Sequence, residues 1–441
     1  MSLVHIIFIN QNLGIIMIIH VVQEGETATS IAKSYGVDEK RFILENEIES
    51  PNDLAIGETL VVLYPDVTYT VVEGDTLGKI AEEFGVSVMQ LLRNNAYLSN
   101  REFLEVGETL VISYQGPVLD SILVDGYAYP FIDHDMLKRT LPFLTYLSIF
   151  SYKITSNGEI LSIDDKGVIE LAKIYGVAPI MMITPLGTNQ LEETNTTHAI
   201  ISNRKSWEAI ITQIVSILKE KGYFGININT PYILPGDRNL YVEFISILAD
   251  RIKKEGFIIM NTFSLSSFEL LTGTIYEGLD YKKIGELVDN TILISYEWGT
   301  ALGVPSGTVS YDTLRNFISH MLELIPPEKV MVGTPSIGYL WKLPYESGVT
   351  KGMSINFDAA IQLAKEHNVP IKYDLNTESA YFSYITCDEY IVRFRDARSI
   401  NAYAKLVPDF ELSGLGIWNI MMYFPQLWLV LNSQYEIVKV T

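Results

Sequence analysis

Acid–base chemistry on a β-strand needs ionisable side chains at positions i and i+2, because only then do both leave the same face. Metal chemistry needs clustered His, Cys, Asp or Glu. This 441-residue chain is poor in the second set: its one cysteine, Cys387, excludes an intrachain disulfide framework and any CxxC site, and its six histidines include no HxxxH pair. No metal and no cofactor is expected. Carboxylates abound, with 53 Asp and Glu against 32 Lys and Arg, a formal net charge of −21. That balance excludes a sequence-independent grip on phosphates, so nucleic acid is not an expected partner. Rings are plentiful too, with 26 Tyr, 18 Phe and 5 Trp. Aromatics on an acidic protein suit neutral polyhydroxylated ligands, whose C–H faces stack on rings, although core packing takes most rings in any fold.

The elements that must position such residues begin with a domain count. At roughly 150 residues per domain the length suggests about three, and 48% hydrophobic content marks a folded chain. Residues 1–19 are apolar, yet the first basic residue is Lys33, and Asn10, Gln11 and Asn12 interrupt the run. A secretory leader needs early positive charge, so residues 1–18 read as a non-native or mis-started extension ahead of Met17. No later stretch is apolar enough to span a membrane.

Internal repetition comes next. HVVQEGETATSIAKSYGV (20–37) aligns with YTVVEGDTLGKIAEEFGV (69–86) at an offset of 49, and IGETLVV (56–62) with VGETLVI (106–112) at 50. Each copy reads strand, helix, helix, strand: a Gly-Glu/Asp-Thr turn caps a helix beginning near Ala28 or Leu77, a second short helix follows around 39–45 or 88–94, and a strand closes the unit. These copies resemble LysM modules, small α+β (βααβ) folds that bind N-acetylglucosamine-containing glycans such as peptidoglycan and chitin. Val72, Gly74, Asp75, Thr76, Leu77, Ile80, Ala81, Phe84, Gly85, Val86 and Asn95 match the family pattern. The resemblance implies modules at 19–64 and 68–114, with sugar held between the loop after the first strand and the loop before the last. Those loops carry Gly74, Asp75, Thr76, Leu77, Leu104, Val106 and Gly107 in the second copy, and Gly25, Glu26 and Thr27 in the first. Glu26 and Ala28 depart from the usual Asp and Leu, which lowers the affinity expected of the first copy.

From 118 to 441 apolar strands alternate with amphipathic helices. Strands are expected at 122–131, 144–154, 178–185, 223–230, 257–264, 290–298, 330–338 and 412–420, with helices such as 205–221, 237–254, 311–324, 356–367 and 396–407 between them. Eight alternations predict an α/β (β/α)8 TIM barrel with its chemistry at the strands' carboxyl ends. The interval 344–396 is too long for one helix, and its β-rich run predicts a small inserted α+β subdomain walling one side of the cleft.

GYAYP (126–130), SIFSYKITSNGEI (148–160), ISYEWG (294–299), GYLWKLPY (338–345), DARSI (396–400) and the close at Gly414–Trp418 resemble glycoside hydrolase family 18. Within it they are similar to the LysM-bearing spore-cortex N-acetylglucosaminidases of spore-forming bacteria. The resemblance implies substrate-assisted cleavage: a Glu protonates the leaving oxygen, and an Asp two residues earlier orients the substrate's N-acetyl group, whose oxygen attacks the anomeric carbon. The family's fourth strand reads approximately Gly-Tyr-Asp-Gly-Val-Asn-Ile-Asp-Phe-Glu-Tyr. Here it reads Gly222-Tyr223-Phe224-Gly225-Ile226-Asn227-Ile228-Asn229-Thr230-Pro231-Tyr232. Pro231 stands for the general acid, Asn229 for the assisting Asp and Phe224 for a supporting Asp, while Leu340 and Arg395 replace further acids. No catalytic set is intact.

Sugar-contacting positions survive better. Trp418 matches the aromatic floor under the N-acetyl sugar, Tyr296 the tyrosine that contacts its acetyl group, and Tyr127, Glu297 and Trp341 are further cleft candidates. Neither proline nor asparagine can deliver a proton as an acid near neutral pH. The expectation is therefore a peptidoglycan- or chitin-binding protein of spore or cell wall whose barrel has lost hydrolysis. Two other readings stay open: an active N-acetylglucosaminidase acting on cortex peptidoglycan through another acid such as Glu297, and a wall scaffold.

Overall fold

The computed structural model describes residues 5–10, 14–101, 103–116, 120–229, 232–264, 268–269, 274–275, 278–294, 310–346 and 349–440. The two repeats fold alike because the same local rules act twice. Thr27 and Thr76 sit in extended backbone and accept from the N–H groups of Ser30 and Lys79, capping helices Ala28–Tyr35 and Leu77–Phe84. Gly36 and Gly85 end those helices at φ 69° and 67°, a left-handed turn that a side chain would strain. Helices Glu39–Asn46 and Val88–Asn94 follow. The first module's strands, Gly14–Val21 and Thr59–Val62, pair antiparallel, as do Pro65–Thr70 and Thr109–Tyr114 in the second. A buried asparagine stitches each unit shut. Asn46 donates to the carbonyls of Phe42 and Val61 and accepts from the Val61 N–H; Asn95 does the same with Leu91 and Val111. Strand His5–Asn10 pairs with Gly14–Val21, so residues ahead of Met17 extend the first module's sheet.

Eight parallel strands build the barrel: Asp120–Ala128, Tyr146–Ile154, Ala178–Pro185, Gly225–Asn229, Ile258–Ser264, Asn290–Ile294, Val330–Pro335 and Gly414–Trp418. They pair in chain order, and the first also pairs with the eighth, which closes the ring. All eight overlap the intervals that apolar patterning predicts. Alternation sorts their side chains into two layers: on the third strand Ala178, Ile180 and Met182 fill the interior, while Met181 and Ile183 pack among the helices. Between the seventh and eighth strands lies an antiparallel sheet in the order Met353–Ile355, Gly338–Leu343, Glu389–Phe394, Ser379–Ile385, Lys372–Asp374, with helix Phe357–Glu366. The insert takes in residues from 338, because Tyr339 to Leu343 pair with Arg393 to Glu389 instead of prolonging the barrel strand.

The first module shares its core with the barrel. Met17, Ile19, Ala55, Val61 and Leu63 belong to the barrel's own hydrophobic cluster. The Ile371 N–H donates to the Ile56 carbonyl at 2.8 Å, and Lys365 pairs with Asp53 at 3.1 Å. Gly57, at φ 86°, lies so close to the Ile371 carbonyl that a Cβ there would collide with it; its repeat counterpart Gly107, at φ 91°, meets open space. Alanine at either glycine carries a similar left-handed strain, but only Gly57→Ala adds the collision. Thermal melts should show Gly57→Ala destabilised by about 1–3 kcal/mol more than Gly107→Ala. Equal losses would contradict the docking.

Candidate functional site

The barrel mouth is organised around Trp418, which ends the eighth strand and is 5% exposed. Three rings meet its faces and edges at steep angles: Phe150 at 5.4 Å, Tyr127 at 5.8 Å and Tyr129 at 6.1 Å between centroids. Such edge-on packing fixes the indole plane more firmly than aliphatic contact would. Tyr127 is fully buried and continues into a polar chain. Its hydroxyl accepts from the Asn227 amide at 3.2 Å, and Asn227 Oδ1 accepts from the Thr262 hydroxyl at 3.1 Å. Tyr127 thus supports Trp418 from within the barrel and does not line an open surface.

The fourth strand carries the expected site positions at its carboxyl end. Ile226 and Ile228 face the helix layer, so Asn227 and Asn229 share the inward face. Asn229 is half-buried at the strand's carboxyl end. Phe224, five residues earlier and therefore roughly 16 Å away, packs with the interior cluster near Tyr146. It plugs the amino-terminal end of the barrel. Pro231, Tyr296 and Glu297 lie outside the described residues. Leu340 packs into the shared hydrophobic core, and Arg395 donates to the carbonyls of Thr377 and Glu378 at 2.9 and 2.6 Å. Both side chains serve the packing and hydrogen bonding of the insert. Trp341, on the insert, is 4% exposed; a Cβ on Gly352 would lie 2.6 Å from its Nε1, which has no hydrogen-bond partner among the described residues.

Sequence reasoning missed Asp125, which shares the inward face with Tyr127 two residues on. It is the one buried carboxylate on the described residues of the eight strands. Ser148 donates to it through both its N–H, at 3.1 Å, and its hydroxyl, at 2.8 Å, yet burial dominates and pushes its pKa up to about 7. A lone acid inside the apolar run SILVDGYAY was the available signal. Glu193 was missed as well. It opens the helix Gln190–Ser202 after the third strand, where burial raises its pKa and Lys153 opposes the rise.

In the second module the two predicted sugar loops are joined, since the Gly107 N–H donates to the Val71 carbonyl at 2.8 Å. Asp75 is spent on the turn itself, accepting from the Val72 N–H at 2.8 Å and the Tyr69 hydroxyl at 2.9 Å. Gly74 supplies the turn's φ of 90°, Thr76 caps, and Leu77 and Leu104 pack against the module core. Exposed beside Glu73, Thr76 and Glu105 are three apolar side chains: Val106 at 69%, Phe103 at 73% and Val72 at 54%. Phe103 was not anticipated. In the first module Gly25 provides the turn at φ 81°, and Glu26 accepts from the Gln23 N–H at 2.7 Å and meets His20 at 2.8 Å. Its longer side chain therefore does the work of Asp75, and Thr27 the work of Thr76.

Because Asp125 holds its proton far more tightly folded than unfolded, the stability it supports is complete below about pH 4 and is lost as pH rises toward 7. Asp125→Asn keeps the neutral form and an acceptor for Ser148. Urea denaturation should show its unfolding free energy falling less steeply between pH 4 and pH 7 than the parent's, by at most about 1.4 kcal/mol per pH unit. Identical pH slopes would refute the assignment.

Comparison with known proteins follows the same lines. The model of glycosyl hydrolases family 18 matches residues 182–422, and the LysM domain model matches 20–63 and 69–113. The chain is 30% identical over 435 residues to the cortical fragment-lytic enzyme of Bacillus subtilis (strain 168), covering 96% of this chain and 100% of that protein. Among solved structures, the spore cortex-lytic enzyme SleL of Bacillus megaterium QM B1551 superposes with a TM-score of 0.79 at 26% identity, covering 96% of this chain and 99% of that one. SleL of Bacillus cereus gives a TM-score of 0.78 at 26% identity, with the same coverage.

Proposed function

The chain belongs to glycosyl hydrolases family 18, and from that premise, with its two LysM domains, we propose that it holds peptidoglycan of the spore cortex or wall without cleaving it. The observation that carries this reading is a contrast within one barrel. The family's acid and assisting positions hold Pro231 and Asn229, neither of which titrates near neutrality, while Trp418 keeps three rings around it.

The chemistry follows from those side chains. Asn229 can donate a hydrogen bond to an N-acetyl oxygen, but it cannot offset the positive charge that develops when that oxygen attacks the anomeric carbon. Loss of a positioned general acid alone costs roughly 10²–10⁴ in rate, and here its partner is absent as well. Asp125 is no substitute, because it is fully buried and bonded to Ser148. Binding needs none of these groups. The second module offers Phe103 and Val106 to a sugar's apolar face, and its linkage to the barrel raises the barrel's effective concentration along a polymer. SleL is a spore cortex-lytic enzyme, which supports the spore cortex as the location of this chain.

Retention on purified peptidoglycan tests the binding half. Phe103→Asp/Val106→Asp removes two exposed apolar contacts without touching the module core, and it should weaken retention of the full chain by about 10–100-fold, as expected for losing burial of one large side chain. Unchanged retention would remove the second module from the account.

A further inference from the structure

The two modules carry near-identical loops in unlike surroundings. In the second, Gly107 faces open space; in the first, the same turn abuts the barrel, and the seam encloses a cavity of about 750 Å³. That volume lies in the range of small-molecule and saccharide sites. The first module reaches it through Val22 and Gln23, just ahead of the Gly25–Thr27 turn, and through Ile56 and Gly57. The opposite wall comes from helices Tyr311–Leu322 and Ala397–Phe410 and from insert residues 371–378.

The charge of this wall runs against that of the chain. Arg315, Lys372, Arg398 and Lys405 line the cavity beside two lining acids, Glu378 and Asp409, on a protein of net charge −21. The two acids are engaged: Asp409 pairs with Arg315 at 2.7 Å, and Glu378 accepts from the Tyr373 hydroxyl at 2.6 Å. Arg398 is held by Asp396 at 2.6 Å and leans on the Gly57 carbonyl at 3.4 Å. Lys372 is exposed and makes no ion pair among the described residues. The apolar lining of Ile56, Ile371 and Leu375, with the ring of Tyr311, gives a sugar face something to lie against.

We infer that this seam binds a carboxylate-bearing amino-sugar segment, with an N-acetylhexosamine unit against Gln23 and Ile56 and its acidic substituent toward Lys372. The inference rests on the reading that the first module takes glycan, and it adds that the barrel completes the site and selects for negative charge. A free module presents no such wall, and a neutral chitin-type chain gains only its apolar contact. A peptidoglycan fragment, with carboxylates on its lactyl group and peptide stem, gains an ionic contact.

Calorimetric titration of the full chain carrying Phe103→Asp/Val106→Asp, which silences the second module, separates the possibilities. Three probes are needed: a peptidoglycan disaccharide-peptide, the same compound with its carboxylates amidated, and neutral N-acetylglucosamine tetramer. The acidic probe should bind at least about fivefold more tightly than its amidated form. That preference should disappear in Lys372→Glu and shrink at high salt, while tetramer affinity stays unchanged. Equal affinity for the acidic and amidated probes, or an unaltered preference in Lys372→Glu, overturns the charged seam and leaves glycan binding intact. Failure of all three probes to bind overturns both the seam and the reading of the first module.

Discussion

A barrel interior has to be filled, and at the mouth of this one it is filled by rings. Trp418 can lie as a flat floor only while Phe150, Tyr127 and Tyr129 hold it edge-on. Tyr127 in turn keeps its place through the amide of Asn227 and the hydroxyl of Thr262. Because these contacts come from the first, second, fourth, fifth and eighth strands, the floor is a property of the closed barrel. The same packing costs the site its chemistry nothing, since acid–base groups would come from the strand ends and not from the floor.

The modules make the complementary point. His20 with Glu26 and Tyr69 with Asp75 close equivalent turns by the same device, a carboxylate that bonds a backbone N–H and a neighbouring side chain. Local chemistry therefore makes the two folds alike. Their difference arises outside the repeat, where Ile371 of the insert meets Gly57 and nothing meets Gly107. One module becomes a wall of the barrel and the other keeps an open apolar face.

Local signals were legible in advance. Thr27 and Thr76 announced helix starts, and alternation marked all eight barrel strands. The position of Asn229 on the fourth strand could likewise be assigned. Features set by residues far apart in the chain were not. The insert's pairing of Tyr339 with Arg393 leaves no periodic mark, so its start at 338 was invisible. The docking of Gly57 on Ile371 joins positions more than three hundred residues apart. Asp125 was marked only by its being a lone acid in an apolar run, a signal without spacing or partner, and Phe103 escaped because an exposed ring in a polar loop looks like any buried one.

The central claim is that this family 18 barrel grips glycan but lacks the acid to cut it. Release of new reducing ends from cortex muropeptides, followed for the unmodified chain beside Asn229→Asp/Pro231→Glu, addresses it directly. The account predicts no release above background from the unmodified chain and measurable release from the substituted one. Turnover by the unmodified chain at the rate of a family enzyme would contradict it.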